Sequence, residues 1–455
     1  MIALRGGTVV TPDGLEKKDL YIDGEKIAAA SGPADGELDA RGCFLFPGFI
    51  DSHTHFQMPV SGTWTADDFA SGTAAAAAGG TTVILDFATQ DKGDTLRGAL
   101  DVWHGRADGH CSCDYGFHMA VTDWNEETKS ELPKMLDEGV SSFKAYMAYD
   151  ALRLTDGALL ALLAQTGEMG CWLGVHCELG DEVNRRVAQL LADGCTAPMY
   201  HPVSRPNEVE AAAIQRLMEL AKKAHGLPWV VHLSTREGLS AIEAARQSDQ
   251  CVLVETCPQY LTLTDTLYAL PGFEGAKYVC SPPLRSLTDA DALWGALADR
   301  EVNIISTDHC SFNFKGQKEL GFHNFSKIPN GLPGVELRPA LLWTYGVSDG
   351  AIRAEDMCRM LSTNPAKAFG MYPRKGCLEP GSDADVVVWD PAYAGRVQAS
   401  ELETHCDYSP WDGFDIHGRA RTVLLRGKVV AENGKCVKKG SGEFIPRKPN
   451  LLEKM

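Results

Sequence analysis

Short apolar runs recur through the middle of this 455-residue chain, separated by longer stretches rich in Ala, Leu and Glu. The runs cover 46–51, 82–87, 115–121, 142–147, 172–176, 229–233, 252–256 and 302–308. Their length and their β-branched and aromatic content predict buried strands, while segments such as 69–78 and 209–224 predict helices. Strand–helix alternation predicts a parallel α/β fold, and the eight runs fit a (β/α)8 barrel. A doubly wound open sheet alternates in the same way and is the competing topology.

The two ends of the chain have a different texture. Thr8-Val9-Val10, a Pro12-Asp13-Gly14 turn and short strands at 19–22 and 26–28 form a hairpin pattern. Near the other end, 385–389, 421–425 and 428–430 read as strands, with Asn433-Gly434 as a turn. The last residues, 440–455, carry Lys, Arg and Pro with little apolar periodicity and are expected to be loose or to pack on a neighbouring subunit.

Composition narrows the classes. Hydrophobic residues make up 44% and charged residues 23%, as in soluble globular proteins, and no run reaches bilayer-spanning length. A net charge of -18 repels phosphate backbones, so no nucleic-acid partner is expected, and no membrane. The 14 cysteines include no CxxC, and Cys111-Ser112-Cys113 is their closest pair. Thiols this numerous fit a reducing compartment. With no signal-peptide pattern after Met1, the expectation is cytoplasmic.

The candidate chemistry lies at the ends of the predicted strands, where barrel active sites form. The first run leads into His53-Thr54-His55, and strand residues two apart point to the same face. His-x-His alone is a weak metal signal. His176 and His232 end the fifth and sixth strands, and Asp308 ends the eighth. Four histidines and an aspartate converging on one rim predict a metal site. His118, alone within its strand, reads as a core histidine. Lys144 interrupts an apolar strand, where an ammonium is costly and cannot ligate a cation. It is either paired with a buried acid or neutral; a neutral amine can add carbon dioxide and become a carbamate able to bridge two metals.

These residues resemble the binuclear-metal cyclic amidohydrolases, specifically the dihydropyrimidinase/D-hydantoinase family with its bacterial phenylhydantoinase-like members. The resemblance rests on Gly48 to His55 (GFIDSHTH), Ser142 to Tyr149 (SFKAYMAY), Val175-His176-Cys177-Glu178, Val231-His232-Leu233-Ser234 and Glu255 to Leu261 (ETCPQYL). It continues through Cys280 to Arg285 (CSPPLR), Ser306 to Cys310 (STDHC), Pro329 to Glu336 (PNGLPGVE), Gly381 to Val386 (GSDADV) and Asp407 to Gly413 (DYSPWDG). It spans nearly the whole chain, in order. Two departures stand out. Leu179 follows Glu178 where the family often carries Asn, and Gln57 occupies the place where the sister dihydroorotases carry a carboxylate-binding Arg.

The resemblance implies a (β/α)8 TIM-like barrel over 47–375, a small β-sandwich domain built from 1–46 and 376–440, and a tail, 441–455, available to a subunit interface of a homotetramer. It implies two divalent metal ions, expected to be zinc: one held by His53, His55 and Asp308, the other by His176 and His232. N6-carboxylysine at Lys144 would bridge them. A bridging hydroxide would attack the ring carbonyl of a small cyclic amide or ureide, opening hydantoins or 5,6-dihydropyrimidines to N-carbamoyl amino acids. Asp308 would shuttle the proton, Tyr149 would bond the developing oxyanion, and Ser281 and Asn330 would hold the imide through main-chain groups. Exocyclic-group preference would lie in the loops 60–65 and 147–153. The alternatives are an allantoinase, which shares the chemistry, and a non-catalytic scaffold like the collapsin-response-mediator proteins. All six ligand positions are filled here, which speaks against the scaffold.

Overall fold

Eight strands lie side by side in chain order: β1 (Phe49–Thr54), β2 (Thr81–Thr89), β3 (Asp114–Ala120), β4 (Ser142–Tyr146), β5 (Trp172–His176), β6 (Pro228–Val230), β7 (Leu253–Thr256) and β8 (Ile304–Ile305). They belong to a computed structural model in which residues 1–29, 32–60 and 62–449 are described. Each strand pairs in parallel with the next. Just beyond β8 the ring meets β1. Thr54 and His309 form a parallel bridge, and the His55 N–H donates to the His309 carbonyl at 2.8 Å. This contact separates a barrel from an open sheet, whose outer strands would not meet.

The barrel strands are buried on both faces, which is why they read as continuous apolar runs rather than alternating ones. The helices packed outside follow their own period. In Asn207–Ala224 the buried Val209, Ala213, Leu217 and Ala221 recur every four residues. The helix Phe69–Ala78 is capped by Asp68, whose carboxylate accepts from the Ser71 N–H, and it ends at Gly79-Gly80. Gly80 has φ +103°, a conformation that favours glycine.

The chain ends build two further sheets. Ile2–Arg5, Leu20–Asp23, Lys26–Ile27 and Gly36–Asp39 form a four-stranded sheet. Strands from both ends, among them Thr8–Thr11, Phe44–Pro47, Val386–Arg396 and Asp415–Leu425, form a seven-stranded one. Leu4, Leu20 and Ile22 from the first and Val9, Leu45, Val386 and Val388 from the second share a core.

The apolar run at 46–51 divides between two sheets. Phe44–Pro47 pairs with Val386–Arg396, and Phe49–Thr54 starts the barrel. Gly48 is the changeover: a Cβ there would collide with Thr82 Oγ1. The eighth run keeps only Ile304–Ile305 as regular strand. Residues 442–447 run along the same chain's barrel. The Ile445 N–H donates to the Tyr115 carbonyl at 2.8 Å, and buried Arg447 donates to Ser142 Oγ at 2.9 Å. Residues 450–455 of the expected tail, and Ser61 of the loop 60–65, lie outside the described residues.

Candidate metal centre and active site

His53, at the end of β1, is wholly buried. Its Nδ1 faces Glu255 Oε1 at 2.7 Å, so that in the neutral ring with the proton on Nδ1 the Nε2 lone pair is available to a cation. That Nε2 lies 3.1 Å from Asp308 Oδ1, and His55 Nε2 lies 3.2 Å from the same oxygen. Among the described residues His53 Nε2 has no hydrogen-bond partner in spite of this approach, and neither has His55 Nδ1. The three residues form a group whose ligand-type atoms all lie within 4.8 Å of one another.

A second convergence sits on β5 and just past β6. His176 Nε2 pairs with Glu178 Oε2 at 2.7 Å, so its Nδ1 points inward, 3.1 Å from His232 Nε2. Burial, the largest influence on both rings, holds each pKa below the ordinary histidine value. Neutral imidazole is the form that binds a metal. Burial also works against a charge on His55, whose pKa is lowered, whereas on His53 the carboxylates of Glu255 and Asp308 outweigh it and the pKa is raised. Burial would raise the Asp308 pKa, but the facing His53, His55 and His232 hold it well below the usual carboxylate range, so Asp308 is an anion. Two inward-facing groups of donor atoms, with orphaned ring nitrogens and an anionic carboxylate, fit divalent cations.

Lys144 stands on β4 between these groups in register, with Ala120 of β3 and Gly174 of β5 as its partners. Its Nζ lies over the Phe87 ring at 4.8 Å, and no carboxylate comes within ion-pairing distance among the described residues. Burial, partly offset by Asp308 and Glu255, lowers its pKa to about 8. The pairing with a buried acid that the sequence left open is therefore not present among the described residues, and the neutral amine is accessible.

Tyr149 follows β4 in a left-handed conformation, φ +66°. Its hydroxyl lies among the side chains of Ser281, Asn330 and Arg205. Burial raises its pKa, so the phenol keeps its proton. His232 and Asp308 also have positive φ, at +39° and +51°. Non-glycine residues in this region cost energy and cluster at functional sites.

All nine residues singled out from the sequence line one cavity of about 490 Å³: His53, His55, Lys144, Tyr149, His176, His232, Ser281, Asp308 and Asn330. Met58, Pro59, Val60, Val102, Trp103, Ala151 and Leu152 give it an apolar side. Gln57 is not on its wall, although the neighbouring Met58 is. A larger groove of about 920 Å³ is lined by surface charges such as Arg153 and Asp181, paired at 2.7 Å, and no ligand-type cluster forms there among the described residues. His118 is a satisfied core histidine, its ring nitrogens facing Ser142 Oγ at 2.6 Å and the Ser52 carbonyl at 3.0 Å.

Sequence reasoning assigned no role to four supporting residues. Glu255 faces the His53 ring and also accepts from the His232 N–H at 3.1 Å. Asp51 accepts from Thr307 Oγ1 at 2.7 Å, tying β1 to the end of β8. Glu178 orients His176 and is itself held by buried Arg205 at 2.9 Å, whose Nη1 also donates to Ser281 Oγ at 2.8 Å. Acidic residues closing apolar strands could have flagged Glu255 and Glu178. Arg205 reaches the site from a separate helical turn, and no sequence signal announces it.

Three comparisons with known proteins identify the family of the chain. The amidohydrolase family profile matches residues 44–430. The D-hydantoinases of Geobacillus stearothermophilus and Streptomyces coelicolor are 42% and 44% identical to this chain. The alignments cover 98% of this chain in both cases and 96% and 97% of those proteins. The solved dihydropyrimidinase from Brevibacillus agri superposes with a TM-score of 0.97 at 42% identity, covering 98% of each chain. The chain belongs to the amidohydrolase family, in its D-hydantoinase/dihydropyrimidinase branch.

Proposed function

We propose that this protein opens hydantoins and 5,6-dihydropyrimidines to N-carbamoyl amino acids at a two-metal site. The observation that carries the reading is the convergence in one cavity of four histidines, Asp308 and a buried lysine that has no carboxylate at ion-pairing distance among the described residues. His53, His55 and Asp308 would hold one cation, and His176 and His232 the other. Lys144 would lie between them as a carbamate, formed when its neutral amine adds carbon dioxide and releases a proton. When bound, two divalent cations polarise a carbonyl and lower the pKa of water.

The chain's own groups supply the rest. Asp308, an anion facing both halves of the site, takes the proton of the attacking water and passes it to the leaving ring nitrogen. Tyr149, protonated and buried, donates to the carbonyl oxygen as it gains charge. Main-chain groups at Ser281 and Asn330 hold the imide. Zinc as the metal, a homotetramer and a cytoplasmic setting belong to the same reading, by resemblance to the family.

The test is ring opening of hydantoin, 5-phenylhydantoin and dihydrouracil by metal-loaded protein, with metal content measured in parallel. About two ions per chain and turnover of at least one ring are expected. Two bound metals with no turnover of any ring would sink the substrate class. Allantoin belongs in the same panel, since preferential allantoin turnover would make the protein an allantoinase.

A further inference from the structure

Lys318 is another fully buried lysine, and the chemistry above does not use it. Its three protons have three acceptors: the carbonyls of Val279 and Pro329, each at 2.7 Å, and of Gly331 at 2.8 Å. No carboxylate pairs with it among the described residues. The groups facing it are the Cys280, Cys310 and Cys406 thiols and the Phe312 ring, 5.6 Å away. A buried ammonium without a counter-ion is a costly way to fill space, and an apolar side chain would fill it at less cost. What the ammonium adds is a cross-link. Val279 lies two residues before Ser281, and Pro329 and Gly331 flank Asn330. The two segments share one backbone hydrogen bond, Gly331 N–H to the Val279 carbonyl at 3.0 Å, and Lys318 fastens both sides of it.

The preceding residue reaches the other way. Gln317 Nε2 donates to Thr63 Oγ1 at 2.8 Å and to the Trp64 carbonyl at 2.6 Å. Thr63–Trp64 pairs with Pro59–Val60, which lines the apolar side of the cavity. We propose that Gln317 and Lys318 form a clasp of positioning residues. Lys318 sets the spacing of the two imide-holding segments, and Gln317 sets the hairpin that faces the ring's exocyclic group. A hydrogen bond from Lys318 to the Pro329 carbonyl also polarises the same peptide's N–H, that of Asn330. This inference rests on the ring-opening reading.

The clasp predicts separable effects in the metal-loaded enzyme. Lys318→Met raises KM by about tenfold or more on hydantoin, 5-phenylhydantoin and dihydrouracil alike, with smaller changes in kcat, because misplaced binding groups act on every ring. Metal content stays at the wild-type value, since among the described residues Lys318 bonds to none of the proposed metal ligands. Gln317→Ala leaves unsubstituted hydantoin near wild type but shifts the 5-phenylhydantoin to hydantoin ratio of kcat/KM by about threefold to tenfold. If Lys318→Met does not fold, Lys318→Arg serves: it keeps the cation, spreads its donors over a plane, and raises KM in the same direction by less. Wild-type KM values in the folded Lys318 variant overturn the clasp. So does a fall in kcat and metal content with KM unchanged, and so does an unaltered substrate ratio in Gln317→Ala. A wild-type enzyme that opens none of the rings overturns the ring-opening reading instead, and the two failures are distinct.

Discussion

Lys144 and Lys375 are buried to the same degree, each 1% exposed, yet the barrel treats them oppositely. Lys375 lies between the barrel and the end sheets, within 2.7 Å of Asp114 and Asp385 and 3.0 Å of Asp383. Burial works against its charge, but the three carboxylates outweigh burial and raise its pKa. Lys144 sits at the opposite end of the strands with aromatic rings beside it and no carboxylate at ion-pairing distance among the described residues, and its pKa falls to about 8. Burial alone therefore does not say what a lysine is for. The saturated network fastens two parts of the fold, whereas the unsaturated one leaves an amine that can react. The same contrast separates Asp114, held by Lys375 and Arg426, from Asp308, which faces His53 Nε2, a nitrogen with no hydrogen-bond partner among the described residues.

This contrast can be broken most sharply at Lys144. Lys144→Ala is expected to cost more than about 10⁴-fold in kcat/KM, beyond the range of one proton-transfer residue, and to lower metal content with it. Full activity without added carboxylic acids would refute the carbamate. Asp308→Asn should lower kcat by roughly 10²- to 10⁴-fold, read in steady-state kinetics at fixed metal content. Lys375→Met should do the reverse. It should leave kcat near wild type while destabilising the fold by about 3–5 kcal/mol, measured by denaturant unfolding, because Asp114, Asp383 and Asp385 lose their shared cation. Glu178→Gln should weaken metal binding by roughly 10- to 100-fold, as losing an outer hydrogen-bond partner of a ligand histidine does, and a chelator titration reads it directly.

The smallest effect concerns pH. Lys318 has a folded-state pKa lowered to about 8, below its unfolded value of about 10.4. Between these values the unfolded chain binds more protons, so this group adds stability as pH rises, by at most about 1.4 kcal/mol per unit. Lys375 has the opposite sign. Its contribution is complete below about 10.4 and is lost only as pH climbs through its raised folded-state value. Melting curves from pH 8 to 10 should therefore show wild type gaining on Lys318→Met. They should show no such trend against Lys375→Met. Comparing wild type with each variant cancels the shared titration of the buried cysteines.

Much of the barrel was legible because its strands are buried on both faces and so appear as eight separate apolar runs. The division of 46–51 between two sheets was not, because both pieces are equally apolar and only the contact at Gly48 separates them. The candidate site was legible where a residue's type conflicted with its setting: histidines ending strands, and a lysine inside one. Arg205 and Gln317-Lys318 carried no such mark. They are polar residues at the ends of short helical turns, and their partners lie between 11 and 254 residues away.

By itself, then, the sequence determined the alternation that makes a barrel and the side chains able to ligate or shuttle protons, since strand period and residue chemistry are local properties. Only the tertiary structure decided which ring nitrogens face inward, which buried lysine has acids to pair with, and which loops a third lysine holds together. Those outcomes depend on contacts between residues far apart in the chain, and at a buried charge it is the neighbours, not the residue, that set the energy.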